Sequence, residues 1–212
     1  MSTGTLYILR HGESEWNATG QWTGITDVHL TKKGWHQSEQ MGKLLKDVHL
    51  DYAYISEQVR SLETLQGVLK TQGQTDLPFE HRFAINERDY GEYTGLNKWE
   101  VKEKLGEKQF NCIRRDWACP VPGGEMLKDV YHRVVPFYKK EVVPRLLRGE
   151  NVLISAHGNS IRALMKYIEQ ISDQDISHVE MIFGTILVYK VDKQGHSKHR
   201  NTLTIKRTLP PA

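Results

Sequence analysis

The sequence predicts an α/β protein, a three-layer α/β/α arrangement with a mostly parallel central sheet, an inserted loop and helix region, and a C-terminal edge hairpin. Three observations carry this reading. Two short and wholly apolar runs, Leu6–Leu9 and Val152–Ala156, have the composition of parallel strands covered on both faces. Strand-like and helix-like patterns alternate through the first part of the chain. Near the other end, Ile186–Val191 and His199–Ile205 flank the turn-forming run Asp192-Lys193-Gln194-Gly195. The 212 residues suit one domain spanning 1–212, and a composition of 38% hydrophobic and 26% charged residues is that of a soluble globular chain.

Each element has a local reason. After the Leu6–Leu9 strand, Thr31-Lys32-Lys33-Gly34 opens a helix to about Lys46, with Met41, Leu44 and Leu45 at helical spacing. Asp51–Ile55 reads as a second strand, and Ser56 can cap a helix that puts Leu62, Leu65, Val68 and Leu69 on one face. Phe79–His81 is a third strand. From Asn86 to Pro122 the chain turns polar and aromatic, with one helical segment at about Lys98–Leu105. This is an excursion over the sheet, the usual place for substrate contacts. Lys128–Leu147 is a long helix bent at Pro136 and Pro144. Ile161–Ile168 is a helix following the second apolar strand.

Composition also excludes. A net charge of +3 is too small to argue for nucleic acid. The N-terminus shows no basic stretch followed by an apolar core, and no run approaches the roughly 20 apolar residues of a membrane helix. A cytoplasmic protein is expected. Cys112 and Cys119 form neither a disulfide framework nor a zinc knuckle, and read as structural or incidental in a reducing compartment. His196-x-x-His199 lies in a basic hairpin and reads as exposed rather than metal-binding.

In open α/β sheets, ligands sit beyond the carboxyl ends of the strands. Both apolar runs end in a His-Gly pair, His11-Gly12 and His157-Gly158. Each glycine permits a sharp turn or a close approach to a ligand. If the two strands are parallel neighbours, the two histidines meet at one edge. Arg10 precedes His11, and Arg60 falls near the first turn of the helix that follows the second strand. Two arginines, two histidines and nearby helix N-termini make a site for a phosphoryl group, because guanidinium donors match phosphate oxygens and helix ends offer oriented N–H groups. A histidine there can act as a nucleophile.

At "LRHGESEWN" the sequence resembles the histidine phosphatase superfamily, whose signature is Arg-His-Gly after the first strand. "RHGESEWN", "WTG", "NERDYG", "GLNK", Arg114-Arg115, "GE-LKD" and "AHGNSIRAL" occur in family order and are similar to the cofactor-dependent phosphoglycerate mutases of short form. The resemblance implies that His11 is the nucleophile and Glu87 the general acid and base. It implies that Arg10, Arg60 and His157 hold the transferring phosphoryl group, with Ser14, Asn17, Thr23, Gly24, Gly158 and Asn159 around it. Arg88, Tyr90, Lys98, Arg114 and Arg115 would bind the rest of a phosphoglycerate. It further implies priming by 2,3-bisphosphoglycerate, no metal, a small-molecule phosphoglycerate as partner with no nucleic acid or membrane, and a possible homo-oligomer.

Three stretches depart from the family pattern. Gln58-Val59-Arg60-Ser61 stands for a Leu-x-Arg-Ala run, Met126 for a small hydroxyl residue, and Phe183-Gly184-Thr185-Ile186 for Thr-Gly-Val-Pro. The tail after Ile205 is short, which bears on any C-terminal lid. Two other readings stand beside the mutase. One is a phosphatase of the same superfamily, passing the phosphoryl group from His11 to water. The other is a non-catalytic phosphoanion-binding regulator, which would be expected to lack His11 or Glu87.

Overall fold

The computed structural model describes residues 3–205, so the tail after Ile205 lies outside the described residues. Its first strand, β1 (Leu6–Arg10), sits in the middle of the sheet and is buried on both faces, as its unbroken apolar run requires. A short helix α1 (Glu15–Ala18) and α2 (Lys32–Leu44) follow, with the Thr31 hydroxyl accepting from the Gly34 N–H at the start of α2. Next come β2 (Tyr52–Ile55), α3 (Val59–Gln72) and β3 (Phe79–His81). The excursion contains α4 (Lys98–Arg115). The chain then runs through α5 (Leu127–Phe137), α6 (Val143–Leu147), β4 (Val152–Ala156), α7 (Gly158–Ile168), β5 (Thr185–Tyr189) and β6 (Arg200–Thr204).

The strand order is β3-β2-β4-β1-β5-β6. β3, β2, β4 and β1 are mutually parallel, while β5 runs antiparallel to β1 and β6 antiparallel to β5. The period of two along β1 sorts its side chains between two cores. Leu6 and Ile8 join Ile154 and residues of α5, α6 and α7 on one face. Tyr7 and Leu9 join Leu153 and residues of α2 and α3 on the other. This is the expected three-layer arrangement. A third cluster, built around Trp22, Tyr90, Phe110 and Ile113, is the core of the excursion.

The structure corrects several boundaries. The expected helix at Lys98–Leu105 continues to Arg115, because the chain kinks at Gly106 (φ 76°) and resumes. Glycine accepts that left-handed φ and so interrupts the helix without ending it. The long helix bent by prolines is α5, a π-helical turn (Tyr138–Val142) and α6, with Pro136 in the last turn of α5 and Pro144 at the start of α6. The edge hairpin exists, but its strands are joined by residues 190–199, and the Asp192–Gly195 turn occupies only part of that connection. The four residues of α1 are too few to show periodicity in the sequence.

The cysteines also need correction. Cys112 and Cys119 are bonded to each other. They form a local staple rather than a framework, closing a short loop that carries Arg114 and Arg115. Closing a loop of this length stabilises the fold by about 2.5 kcal/mol if the effect is unfolded-state entropy. Urea unfolding with and without reductant should therefore differ by about 2–3 kcal/mol, with the reduced protein the weaker. Identical curves for protein whose thiols are shown to be fully reduced would contradict the staple.

Candidate active site

β1 and β4 pair in parallel with Arg10 opposite Ala156, so both strands reach the same edge together. The His11 N–H extends this ladder by donating to the Ala156 carbonyl at 3.0 Å. His157 follows Ala156 and forms the N-cap of α7. The two imidazole centroids stand 4.8 Å apart at 54°. The glycine after each histidine does a different job. A Cβ at Gly12 would lie 2.3 Å from the Gly34 carbonyl oxygen, so that loop packs directly on the start of α2. A Cβ at Gly158 would instead face Glu87 Oε2 at 3.7 Å and Arg10 Cζ at 3.8 Å.

His11 has a defined tautomer. Its Nδ1 lies 2.6 Å from the Gly12 carbonyl oxygen, which can only accept, so Nδ1 carries the proton. Nε2 is left with its lone pair. Burial, and then the nearby Arg60 and Arg10 guanidinium groups, hold the imidazole pKa well below its ordinary value, so the ring is neutral at pH 7. The same burial, with Arg60, His11 and Arg10 nearby, lowers that of His157. His157 Nε2 meets the Ser56 hydroxyl at 2.7 Å, and its Nδ1 is buried without a partner among the described residues.

The arginines are held by backbone carbonyls, which fix them without neutralising them. Arg60 donates from Nη1 to the Thr26 carbonyl at 2.8 Å and from Nη2 to the Gly24 carbonyl at 2.9 Å. Burial pulls its pKa down to about 10, and it remains charged at neutral pH. Arg10 donates from Nη1 to the Met181 carbonyl at 2.8 Å, and the Phe183 ring covers its face at 3.8 Å. The Nε of each arginine and the Thr23 hydroxyl are buried without partners among the described residues. Such groups are costly to leave unmet. The two Nε–H groups and the Thr23 hydroxyl are donors a phosphoryl group would satisfy, and His157 Nδ1 is a donor too in the tautomer whose Nε2 accepts from the Ser56 hydroxyl, so these residues fit that group. Ser14, the N-cap of α1, donates from its backbone N–H and its hydroxyl to Asn17 Oδ1 at 3.3 and 2.8 Å, which orients Asn17.

Glu87 is anchored through one oxygen. Its Oε1 accepts from the Arg88 N–H at 2.7 Å, the Asn159 N–H at 3.2 Å and Asn159 Nδ2 at 3.1 Å, while Oε2 has no hydrogen-bond partner among the described residues. Asn159 Nδ2 also donates to the Tyr90 hydroxyl at 2.9 Å, and its Oδ1 accepts from Arg162 Nη1 at 3.0 Å. Gln58 accepts from the Glu87 N–H and donates to the Gly24 carbonyl, tying the Glu87 backbone to the loop that holds Arg60.

One cavity brings most of these groups together. Arg10, Glu87, Tyr90, Lys98, Gly158 and Asn159 line it, with Arg114 and Arg115 at the end of α4. His11, Arg60 and His157 are buried, at 2%, 1% and 0% exposure, and do not form part of this lining. Arg88 is also outside it. Its Nη2 donates to the Ile113 carbonyl at 2.7 Å and its guanidinium lies over the Tyr90 ring, bracing the wall from behind. Four lining residues were not singled out from the sequence: Trp22, Arg162, Glu180 and Met181. Trp22 stacks on Tyr90 at 5.2 Å, and Arg162 lies within the "AHGNSIRAL" block without a distinctive local signal. Lys98, readable as a solvated charge, is instead drawn inward. Burial, helped by Arg10 and Arg114, lowers its pKa to about 8.

Comparison with known proteins identifies the family. The model of the histidine phosphatase superfamily (branch 1) matches residues 6–203. A Cytophaga hutchinsonii protein named 2,3-bisphosphoglycerate-dependent phosphoglycerate mutase is 45% identical over 87% of this chain and 86% of its own. A Corynebacterium diphtheriae protein of the same name is 41% identical over 92% and 89%. Among solved structures, Bacillus stearothermophilus YhfR superposes with a TM-score of 0.80 at 27% identity, covering 90% of this chain and 93% of that one. The chain belongs to the histidine phosphatase superfamily, branch 1.

Proposed function

We propose that the protein interconverts 3-phosphoglycerate and 2-phosphoglycerate through a phosphohistidine at His11. The observation that carries this reading is the two-ended charge of the site. Arg10 and Arg60 lie close to the buried His11, and Lys98, Arg114 and Arg115 supply positive charge in the cavity that Arg10 also lines. A phosphoglycerate has an anionic group for each end. The names of relatives at 41–45% identity support the same reading, and they imply a bisphosphoglycerate primer. 2,3-bisphosphoglycerate would supply the phosphoryl group that primes His11, and Arg10 Nε, Arg60 Nε, Thr23 Oγ1 and His157 Nδ1 are the residues that would hold that group.

The chain's own groups account for the transfer. His11 Nε2 bears the phosphoryl group while Nδ1–H stays on the Gly12 carbonyl. The substrate hydroxyl oxygen forms a bond to phosphorus as the P–Nε2 bond breaks, and the electron pair returns to Nε2. Glu87 Oε2 takes the hydroxyl proton, since Oε1 is already engaged by three N–H groups. The fixed guanidinium groups and His157 stabilise charge on the transferring oxygens without reorganising. In the second half Nε2 takes the other phosphoryl group, and Glu87 returns the proton to the oxygen that leaves phosphorus.

Coupling to enolase tests this directly. With 3-phosphoglycerate and catalytic 2,3-bisphosphoglycerate, 2-phosphoglycerate should form faster than inorganic phosphate appears. The opposite order overturns the mutase in favour of a phosphatase. His11→Ala should abolish turnover, and Glu87→Gln should cut kcat by roughly 10²–10⁴-fold with a smaller change in KM. A Glu87→Gln enzyme of normal kcat removes it from proton transfer.

Lys98 yields a pH signature. Its pKa near 8 means it is charged below that pH and neutral above it. Anion affinity should therefore fall, and KM for 3-phosphoglycerate rise, as pH passes about 8. Lys98→Arg, charged throughout, should flatten that rise. A rise unchanged in the arginine variant assigns the titration to another group.

A further inference from the structure

The segment from Val179 to Phe183 connects a 3₁₀ turn (Asp175–His178) to β5, and its Glu180 and Met181 line the cavity. The Glu180 carboxylate pairs with the Arg115 guanidinium, and the Val179 carbonyl lies 3.5 Å from Arg115 Nη1. The Met181 carbonyl accepts from Arg10, and Phe183 covers the Arg10 face. Glu180 and Glu87 are the two carboxylates in a lining that also contains Arg10, Lys98, Arg114, Arg115 and Arg162.

We propose that Glu180 sets the affinity of this site for anions by acting as a displaceable counterion of Arg115. The inference rests on the reading of Arg114 and Arg115 as contacts for the anionic substrate. A substrate anion that reaches Arg115 must share the guanidinium with the Glu180 carboxylate or take its place. The pair is suited to exchange. The Glu180 side chain is 57% exposed while that of Arg115 is 21% exposed, so water can take over the carboxylate as it swings away. The segment does not depend on the carboxylate for its position, because Met181 and Phe183 fasten it to Arg10. Arg115 and Arg114 hold the Glu180 pKa below the ordinary carboxylate range, so it is ionised wherever the substrate is. Loss of the carboxylate leaves Arg115 free to serve the incoming anion, which binds more tightly. Glu180 thus weakens binding and favours release of a highly charged product.

The test uses inorganic sulfate as the probe, with binding followed by calorimetry in wild type, Glu180→Gln, Glu180→Asp and Arg115→Gln. Glu180→Gln should tighten sulfate by roughly two- to five-fold, the range expected for a partly exposed ion pair. KM for 3-phosphoglycerate should drop by a similar factor, with kcat little raised or slightly lowered. Glu180→Asp should bind as wild type does. In the Arg115→Gln background, Glu180→Gln should have no effect, which isolates the pair. Unchanged or weaker sulfate binding in Glu180→Gln, or an equal gain without Arg115, overturns the proposal. A sulfate effect of the expected kind in a protein without mutase turnover would instead remove the phosphoglycerate reading and leave the role of Glu180 intact.

Discussion

The site depends on one pairing, that of β1 with β4. Because these central strands are parallel and in register at Arg10 and Ala156, two segments distant in sequence release their histidines at the same level and on the same edge. A slip of one residue would exchange the two faces of β1, sending Leu6 and Ile8 into the α2–α3 core and displacing His11 from His157. The burial of both apolar faces is what forbids that slip. Packing that stabilises the sheet thus also fixes the spacing of the two imidazoles.

That position carries an electrostatic cost that the chemistry uses. Arg10, Arg60 and both histidines are taken out of water in a small volume, and the mutual repulsion falls on the groups that can shed a proton. The histidines give theirs up and the guanidinium groups keep theirs. The result is a neutral imidazole beside fixed cations, with buried polar groups that have no partner among the described residues and that a phosphoryl group would satisfy. The backbone supplies the remaining order. The Gly12 carbonyl selects the tautomer, and those of Gly24, Thr26 and Met181 aim the guanidinium groups while leaving their charge unspent.

Much of this was legible in the sequence because it follows from short-range pattern. The unbroken apolar runs reveal central strands, and the repeated His-Gly reveals what they deliver. Arg60 is legible because its place early in α3 follows from the strand and helix before and around it. Other features require the third dimension. Trp22 and Arg162 enter the cavity through packing in the excursion and on α7, where neither stands out from its neighbours in the sequence. Glu180 lies in a stretch with no periodicity, and its significance comes from Arg115, which is distant along the chain. The Phe183-Gly184 departure reads as a change in the pocket wall, and the structure shows Phe183 on the face of Arg10. The length of α4 was obscured by Gly106, which kinks the helix without stopping it.

On the proposed mechanism His11 Nε2, and no other nitrogen, receives the phosphoryl group. The most direct measurement is 31P and 15N NMR of 15N-histidine-labelled protein after exposure to 2,3-bisphosphoglycerate. One phosphorus signal coupled to Nε2 of His11 is expected, with Nδ1 still protonated on the Gly12 carbonyl and His157 unmodified. A phosphoryl group on Nδ1, on His157, or on no histidine at all would contradict it.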